Sequence, residues 1–162
     1  MKRIQLGGNR FWNHPVRAYA LVDDEDFENL SKNPWCLSSS GYAIGRDWRD
    51  KKERKMRMHR EVLGCADKNV FVDHIDGNKL NNQKSNLRLA NKSQNAANSK
   101  IPSNNKSGFK GVYFEKYTKK WRAEIAVNGI KNKLGRFARI EDAASVYKNA
   151  ALKYFGEYAR IN

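Results

Sequence analysis

Residues 70–98 read VFVDHIDGNKLNNQKSNLRLANKSQNAAN, and this stretch determines the fold that we predict for the first part of the chain. The opening VFV is β-branched and aromatic, which predicts a strand that ends in Asp73 and His74. The following IDGNKLNNQKS is polar and rich in Asn and Gly, as loops are. LRLA predicts a second short strand, and residues 92–98 have spacing compatible with a helix. The predicted order is therefore strand, loop, strand, helix.

Asp73 and His74 are the side chains of this stretch that suit hydrolysis of a phosphodiester. The reaction needs an activated water and a cation that stabilises the charge developing on the phosphate and the leaving oxygen. A histidine can take the proton of a water at neutral pH, and a hard divalent cation prefers the oxygens of Asp and Asn. Neighbouring side chains at a strand end point to opposite sides, so one can hold metal and the other water. A lone histidine at such a place is more often structural, and the residues alone leave that alternative open.

The pattern Asp73-His74, Asn86 and Asn95 resembles the HNH family of ββα-metal nucleases. It is most similar to homing-type and phage-type members whose motif reads DHIDGN…NNxxxNLR…QNxxN, and MHR at 58–60 resembles the lead-in of that family. The resemblance implies that Asp73 and Asn95 ligate one divalent metal ion, Mg²⁺ with Mn²⁺ as a substitute. It implies that His74 is the general base and that Asn86 positions His74 or braces the loop. The chain lacks the CxxC pairs that bind zinc in many HNH proteins, so no zinc is expected.

Several residues around the motif have two interpretations. Arg88 either faces the scissile phosphate or pairs with a loop carboxylate, and both interpretations stay open. His59 lies outside the triad and is interpreted as a structural or phosphate-contacting residue. Other candidates for the middle Asn of the motif are Asn81, Asn82 and Asn91.

The charge of the chain indicates a polyanionic partner. There are 32 Lys and Arg against 17 Asp and Glu, which gives a formal net charge of +15. Each neutralised phosphate releases condensed counterions, so a polyanion is the expected partner. Charge alone fits a ribosome-associated or merely soluble basic protein equally well, and it is the resemblance to HNH nucleases that implies double-stranded DNA. Residues 46–60 form a basic run that is either a solvated face or a phosphate contact, and Arg57 and Arg60 are its candidate DNA-binding residues.

The cysteine content and the hydropathy exclude several other classes. Cys36 and Cys65 form no CxxC pair, which argues against a zinc knuckle and a disulfide framework and fits an intracellular setting. We therefore expect the cytoplasm, or the host cytoplasm for a phage-encoded protein. No apolar run approaches a membrane span, and no small-molecule cofactor is expected.

The segment before the motif predicts a small supporting fold. VRAYALV at 16–22 predicts a strand, and DEDFENLSK predicts a short helix with Asp23 as its N-terminal cap. WCLSSSGYAIGR predicts a hairpin that turns at Ser40-Gly41. The residues from Met58 to Leu63 predict a short helix that ends at Gly64.

Residues 108–162 predict a second, smaller module. KGVYFEK and KWRAEIAVN alternate in polarity, and NGIKN predicts a turn before KNKLGRF, which gives three short antiparallel strands. Apolar residues recur at helical spacing from Ala143 to Phe155, and Gly156 follows as a stop. One helix on a three-stranded sheet buries one face of the sheet and leaves the other open.

This segment resembles the DNA-binding domain of plant ethylene-response (APETALA-type) factors. The resemblance rests on GV at 111–112, KW at 120–121, AEI at 123–125, LGRF at 134–137 and the helix EDAA…Y…AA. The resemblance implies five DNA-contacting residues, which are Lys110, Tyr113, Arg122, Glu124 and Lys133. Arg136 is a sixth candidate because it is expected on the open face of the sheet. Trp121 and Phe137 are interpreted as core.

The sequence as a whole predicts an α+β protein with an HNH nuclease domain at 1–100, a linker at 101–107 and an APETALA-like DNA-binding domain at 108–162. The function expected is that of a metal-dependent DNA endonuclease, with monomeric nicking favoured over double-strand cleavage. The competing class is a catalytically silent DNA-binding protein or transcription regulator. An RNA-binding protein fits less well, because no RNP-like motif is present.

Overall fold

The computed structural model describes residues 1–7, 18–47 and 54–161, and the chain divides into two compact units, Met1–Leu89 and Ala90–Asn162. Strands and short helices alternate in both units, which confirms the predicted α+β class. Of the sequence features above, residues 16–17 of the first predicted strand and residues 48–53 of the basic run lie outside the described residues. The functional domain bounds remain a prediction.

Two small sheets form the part of the first unit that precedes the motif. Strands β1 (Lys2–Leu6) and β2 (Ala18–Val22) form one pair, and β3 (Trp35–Leu37), β4 (Ala43–Asp47) and β5 (Arg54–Arg57) form the other sheet in that order. Gly7 links the two sheets, since its N–H donates to the Trp35 carbonyl (3.0 Å) and its carbonyl accepts from Leu37 N (3.1 Å). Inward residues of the strands supply most of the core, and Leu30 and Met58 join it from two short helices. The core comprises Ile4, Leu6, Ala20, Val22, Leu30, Trp35, Ala43, Met56 and Met58.

Helix α1 (Asp24–Ser31) follows β2 as predicted, but the prediction that the Asp23 side chain caps it is wrong. The Asp23 carboxylate instead accepts hydrogen bonds from Gln83 Nε2 (3.0 Å) and Lys84 N (2.8 Å). A carboxylate with two better-placed donors has no free oxygen turned towards the helix N-terminus. These bonds lower the pKa of Asp23 and tie the loop at residues 75–86 to the start of α1.

The predicted strand–loop–strand order of the motif is present in the first unit. Helix α2 (Met58–Val62) precedes strand β6 (Phe71–His74), which pairs with β7 (Leu87–Ala90). A turn of 3₁₀ helix at Lys84–Asn86 leads into β7. The loop between β6 and β7 is attached to β2, because Leu21 N donates to the Leu80 carbonyl and Asn82 N donates to the Leu21 carbonyl, each at 2.8 Å.

The second unit contains the predicted three-stranded sheet and its helix. Strands β8 (Val112–Glu115), β9 (Lys120–Val127) and β10 (Ile130–Phe137) are antiparallel with β9 in the middle, and α4 (Ile140–Phe155) covers one face. Asn128 and Gly129 both have positive φ (51° and 83°), the conformation that an Asn-Gly turn between paired strands requires. None of the helices in the described part of the chain is both long and apolar enough to cross a membrane.

Helix α3 (Lys92–Ala97), the last element of the motif, is packed within this second unit. It begins with a capping box in which Asn91 and Gln94 bond each other's backbone N–H. At its other end the Lys110 ammonium donates to the carbonyls of Ala96 (3.2 Å), Ala97 (2.5 Å) and Ser99 (2.8 Å). Ala97 also lies in one apolar cluster with Ile125, Ala151 and Phe155.

Lys110→Met is expected to destabilise the second unit by about 2–3 kcal/mol, because a charged hydrogen-bond donor to three helix-end carbonyls is lost. Urea unfolding measures the change. Lys110→Arg should recover part of the loss. The matched control is Lys106→Met, an exposed lysine in the preceding loop, which should change the free energy of unfolding by less than about 0.5 kcal/mol. Equal losses of stability in the two Met variants would contradict the role of Lys110 in holding the end of α3.

Candidate active site

His74 is the last residue of β6 and is buried, with 5% of its surface exposed. Its Nε2 faces Oδ1 of Asn82 at 3.4 Å. Asn82 is fully buried and its Nδ2 donates to the Leu80 carbonyl, so its oxygen is the atom turned towards the imidazole. The neutral tautomer that matches this contact has its proton on Nε2, and in that tautomer the basic nitrogen of the ring is Nδ1.

Two further rings complete a cluster around His74. His59, from α2, meets the His74 ring edge-on with centroids 5.1 Å apart, and Tyr42 lies 5.2 Å from His59 and 6.0 Å from His74. His59 is buried, and its Nδ1 has no hydrogen-bond partner. This placement gives His59 a structural role and removes it from the residues that can reach a phosphate.

Burial keeps both imidazoles neutral. Desolvation lowers the pKa of His59 to about 3, and the electrostatic effects of His74, Arg57 and Arg60 act in the same direction. The pKa of His74 is also lowered, mainly by burial, although the hydrogen bond to Asn82 and the neighbouring carboxylates oppose the shift. A neutral His74 at physiological pH is the form that a general base requires.

Asp73 and Arg88 form a nearly buried ion pair. Both Nε and Nη2 of Arg88 lie 3.0 Å from Oδ2 of Asp73, and the two side chains expose 11% and 7% of their surface for Arg88 and Asp73 respectively. Of the two interpretations of Arg88, pairing with a carboxylate is the one seen, with a strand residue rather than a loop residue as partner. The guanidinium balances the charge of Asp73 and fixes one of its oxygens.

Asp76 organises the loop between β6 and β7. Its carboxylate accepts from Asn78 N (2.7 Å), Asn81 Nδ2 (3.0 Å) and Asn86 Nδ2 (2.9 Å), and its own N–H donates to Asn86 Oδ1 (3.1 Å). Desolvation would raise the pKa of Asp76, but these hydrogen bonds outweigh it and the pKa is lowered. Asn86 therefore lies in the loop-bracing position, and Asn82 is the Asn that contacts His74.

Asn95, the fourth residue of α3, is half-buried in the second unit. Within the described residues its side-chain amide makes no hydrogen bond to the protein, unlike that of Asn91 at the start of the helix. The described chain holds no group of three or more His, Cys, Asp or Glu side chains placed to hold a metal ion. One carboxylate and one amide oxygen are a donor set that fits Mg²⁺, which keeps several waters and takes few protein ligands.

The basic residues of the first unit differ in the contacts that their charged groups already make within the protein. Arg57 is exposed and its guanidinium lies 6.0 Å from the Tyr42 ring, while Lys79 lies 4.6 Å from the same ring. Arg60 is half-buried and donates to the carbonyls of Val70 (2.8 Å) and Asp67 (2.5 Å). The Lys79 ammonium also donates to the Ser40 carbonyl (2.9 Å), so Arg57 is the better placed cation for a ligand.

The open face of the second unit is a network of opposite charges. Arg122 donates to Tyr113 Oη and Glu124 Oε2, each at 3.1 Å, and Arg136 donates to Glu115 Oε2 at 2.6 Å. The bond to Arg136 lowers the pKa of Glu115 to about 2, with a further bond from Thr118. Lys133 is opposite Glu124 in the register of β9 and β10, is exposed, and lies on the same face.

Three residues of the first unit that contribute to the candidate site were not predicted from the sequence as site residues, and Asn82 was named only as an alternative for the middle Asn. Asp76 belongs to the quoted motif, and the motif is the signal that would have pointed to it. Tyr42 and Lys79 come together only through the fold, since the hairpin of β3 and β4 places Tyr42 beside a loop 37 positions further along the chain. No local pattern marks either of them.

Comparisons with known proteins identify the family. Residues 58–97, which include Asp73, His74, Asn86 and Asn95, match the protein family described as HNH endonuclease. The chain is 36% identical over 150 residues to an uncharacterized HNH endonuclease of Acanthamoeba polyphaga mimivirus, covering 90% of this chain and 75% of that protein. It is 33% identical over 108 residues to protein 3.8 of Escherichia phage T7, covering 67% and 88%. No solved structure matches the chain significantly.

The chain therefore belongs to the HNH endonuclease family, and it is a nuclease. The HNH part of the predicted resemblance and the enzyme prediction are confirmed. The catalytically silent alternative is not favoured by these matches.

The buried His59 predicts a pH-dependent stability. Its folded-state pKa of about 3 lies below the unfolded value of about 6.5, so its stabilising effect is complete above pH 6.5 and is lost as the pH falls towards 3. The free energy of unfolding should fall by up to about 1.4 kcal/mol per pH unit in this window, because only the unfolded chain takes up the proton. His74 contributes with the same sign.

Urea unfolding at pH values between neutrality and about 5 measures this slope. His59→Phe, which keeps a buried ring without a titratable nitrogen, should show a shallower slope. A slope unchanged in His59→Phe would mean that the buried imidazole is not the source of the pH dependence.

Proposed function

We propose that this enzyme is a metal-dependent endonuclease that hydrolyses phosphodiester bonds of double-stranded DNA, of the homing, mobile-element or phage type. The observation that carries the proposal is the environment of His74. Its ring is buried, its Nε2–H faces Asn82 and its lowered pKa keeps it neutral, so that Nδ1 can accept a proton. A purely DNA-binding chain has no need of such an arrangement beside a strand-end carboxylate.

In the proposed mechanism His74 takes the proton of the attacking water at Nδ1. Asn82 holds the ring in the required tautomer through Nε2–H. Asn86 supports this indirectly, since it braces the loop through Asp76, so its assignment as a catalytic residue becomes one of positioning.

For the metal we propose Asp73 and Asn95 as the protein ligands, following the motif that the chain resembles. The oxygen donors fit Mg²⁺, with Mn²⁺ as a substitute, and the half-buried Asn95 amide without a protein partner supports its part. When bound, the ion would stabilise the charge that develops on the phosphate and the leaving oxygen. Arg88 orients Asp73 and balances its charge through the ion pair.

For DNA binding we propose contributions from both units. Arg57 contributes from the first unit, and Arg60 and Arg88 are the further candidates there that the motif supplies. In the second unit we propose an APETALA-like domain that contacts DNA through the open sheet face, because Arg122, Arg136 and Lys133 lie there together. Lys110 was expected on that list, but its three carbonyl partners support a structural role.

The product proposed is a nick with a 3′-hydroxyl and a 5′-phosphate, made by a monomer. One HNH motif per chain provides one general base, so each chain cuts one strand. Double-strand cleavage would then require two chains.

The central test is plasmid cleavage by the full chain in Mg²⁺, in EDTA and with His74→Ala. The variant should lose about 10²–10⁴-fold in cleavage rate, because one general base contributes that much, while DNA affinity changes little. Added imidazole should restore part of the rate, which a structural role of His74 would not predict. Absence of Mg²⁺-dependent nicking by the unaltered enzyme would overturn the proposed function.

The proposed sheet contact predicts a change in the salt dependence of DNA binding. Lys133→Gln should lower the slope of log affinity against log salt by about 0.9, because one phosphate contact is lost. Fluorescence anisotropy with a duplex probe in EDTA measures the slope. Lys148→Gln is the matched control, since Lys148 is an exposed lysine of α4, which covers the other face of the sheet, and equal slopes in the two variants would argue against the sheet face.

A further inference from the structure

A cleft in the second unit lies along the edge strand β8 and borders the open sheet face at Tyr113. Its volume is about 500 Å³, within the range of roughly 300–1,000 Å³ that is usual for small-ligand sites. The loop before β8 and the edge strand β8 form its walls. The residues that characterise it are Pro102, Lys106, Phe114, Lys116 and Trp121.

The aromatic floor of the cleft follows from the register of β8 and β9. Phe114 is opposite Trp121, and the next pair on that face, Val112 and Ala123, is buried beneath α4. The Phe114 ring meets the Trp121 ring edge-on at 5.1 Å and keeps 49% of its surface exposed. Trp121 packs against the core cluster, as predicted, but it also lines the cleft.

The polar groups of the cleft suit an anion attached to a flat apolar body. Lys106 and Lys116 line it, and none of its described lining residues is acidic. The nearest carboxylate in sequence, that of Glu115, belongs to the other face of the sheet and is bonded to Arg136. Among the described residues the indole N–H of Trp121 has no hydrogen-bond acceptor, so it is available to a ligand carbonyl.

We propose that this cleft binds one unpaired nucleobase of single-stranded DNA, stacked on Phe114, with the flanking phosphates near Lys106 and Lys116. An aromatic platform between cations is the combination by which proteins hold single strands, because every base has a π-face. A base inside a duplex has no free face to offer, so the cleft selects unpaired DNA. The inference rests on the proposed function only in taking DNA as the nucleic acid.

The experiment uses the full chain in EDTA, where no metal-dependent cleavage can occur. Anisotropy is measured with a short fluorescent oligothymidylate, an abasic deoxyribose-phosphate strand of the same length, and a duplex. Phe114→Leu keeps an apolar side chain and removes the π-face, and it should weaken oligothymidylate binding by roughly tenfold. Phe114→Tyr should retain the affinity. Duplex affinity should stay unchanged in both variants.

Several outcomes would overturn the proposal. An abasic strand that binds as tightly as oligothymidylate would show attraction to phosphate alone. If Phe114→Leu bound oligothymidylate as tightly as the unaltered protein, stacking on Phe114 would be refuted. If oligouridylate of the same length bound more tightly than oligothymidylate, the site would be one for RNA. Thermal unfolding checks that each variant is folded. Lys116→Gln is a second test at an exposed position, and it should weaken the affinity for single-stranded DNA.

The two proposals are separable by these measurements. Failure of the enzyme to nick plasmid in Mg²⁺ would refute the proposed function without touching single-strand binding in EDTA. Equal affinities for oligothymidylate and the abasic strand in EDTA would refute base binding in the cleft and would leave the proposed role of His74 unaffected.

Discussion

The reciprocal hydrogen bonds between Asp76 and Asn86 are the constraint on which the catalytic half depends. Asp76 N donates to Asn86 Oδ1, and Asn86 Nδ2 donates back to the Asp76 carboxylate, which joins the two ends of the loop between β6 and β7. Closing that loop fixes where β6 ends, and β6 ends in Asp73 and His74. A loop so rich in polar side chains becomes rigid because those side chains bond one another and the backbone.

Burial then gives the two neighbouring residues different properties. His74 is enclosed by Tyr42 and His59, so the cost of desolvation acts on its charged form and the ring stays neutral. Asp73 is equally buried but has Arg88 against one oxygen, which compensates its charge. Alternation along the strand separates the two environments, and one structural element therefore supplies both a proton acceptor and a fixed anion.

The sequence predicted what short-range patterns determine. The strand ending at His74, the Asn-Gly turn at Asn128 and the helix that stops at Gly156 depend on neighbours a few positions away, and all three are present. The contacts of Tyr42 with His74 and of Asp23 with Gln83 join distant segments, and no local pattern encodes them. Asp23 shows the limit clearly, because its position at a helix start was right while its side chain bonds a loop 60 residues away.

The helix α3 belongs to the predicted nuclease part by sequence, but residues of the predicted DNA-binding part support it. This helix has six residues, which is too short to be stable alone. Its end is held by Lys110 and by Arg160, whose backbone N–H donates to the Ala97 carbonyl, and Ala97 packs against Ile125, Ala151 and Phe155. Removing residues 108–162 would therefore remove the supports of the helix that carries Asn95. A loss of cleavage in such a truncation would follow from an unsupported α3 even if the sheet never touched DNA, so single substitutions on the open face are the cleaner measure of its role.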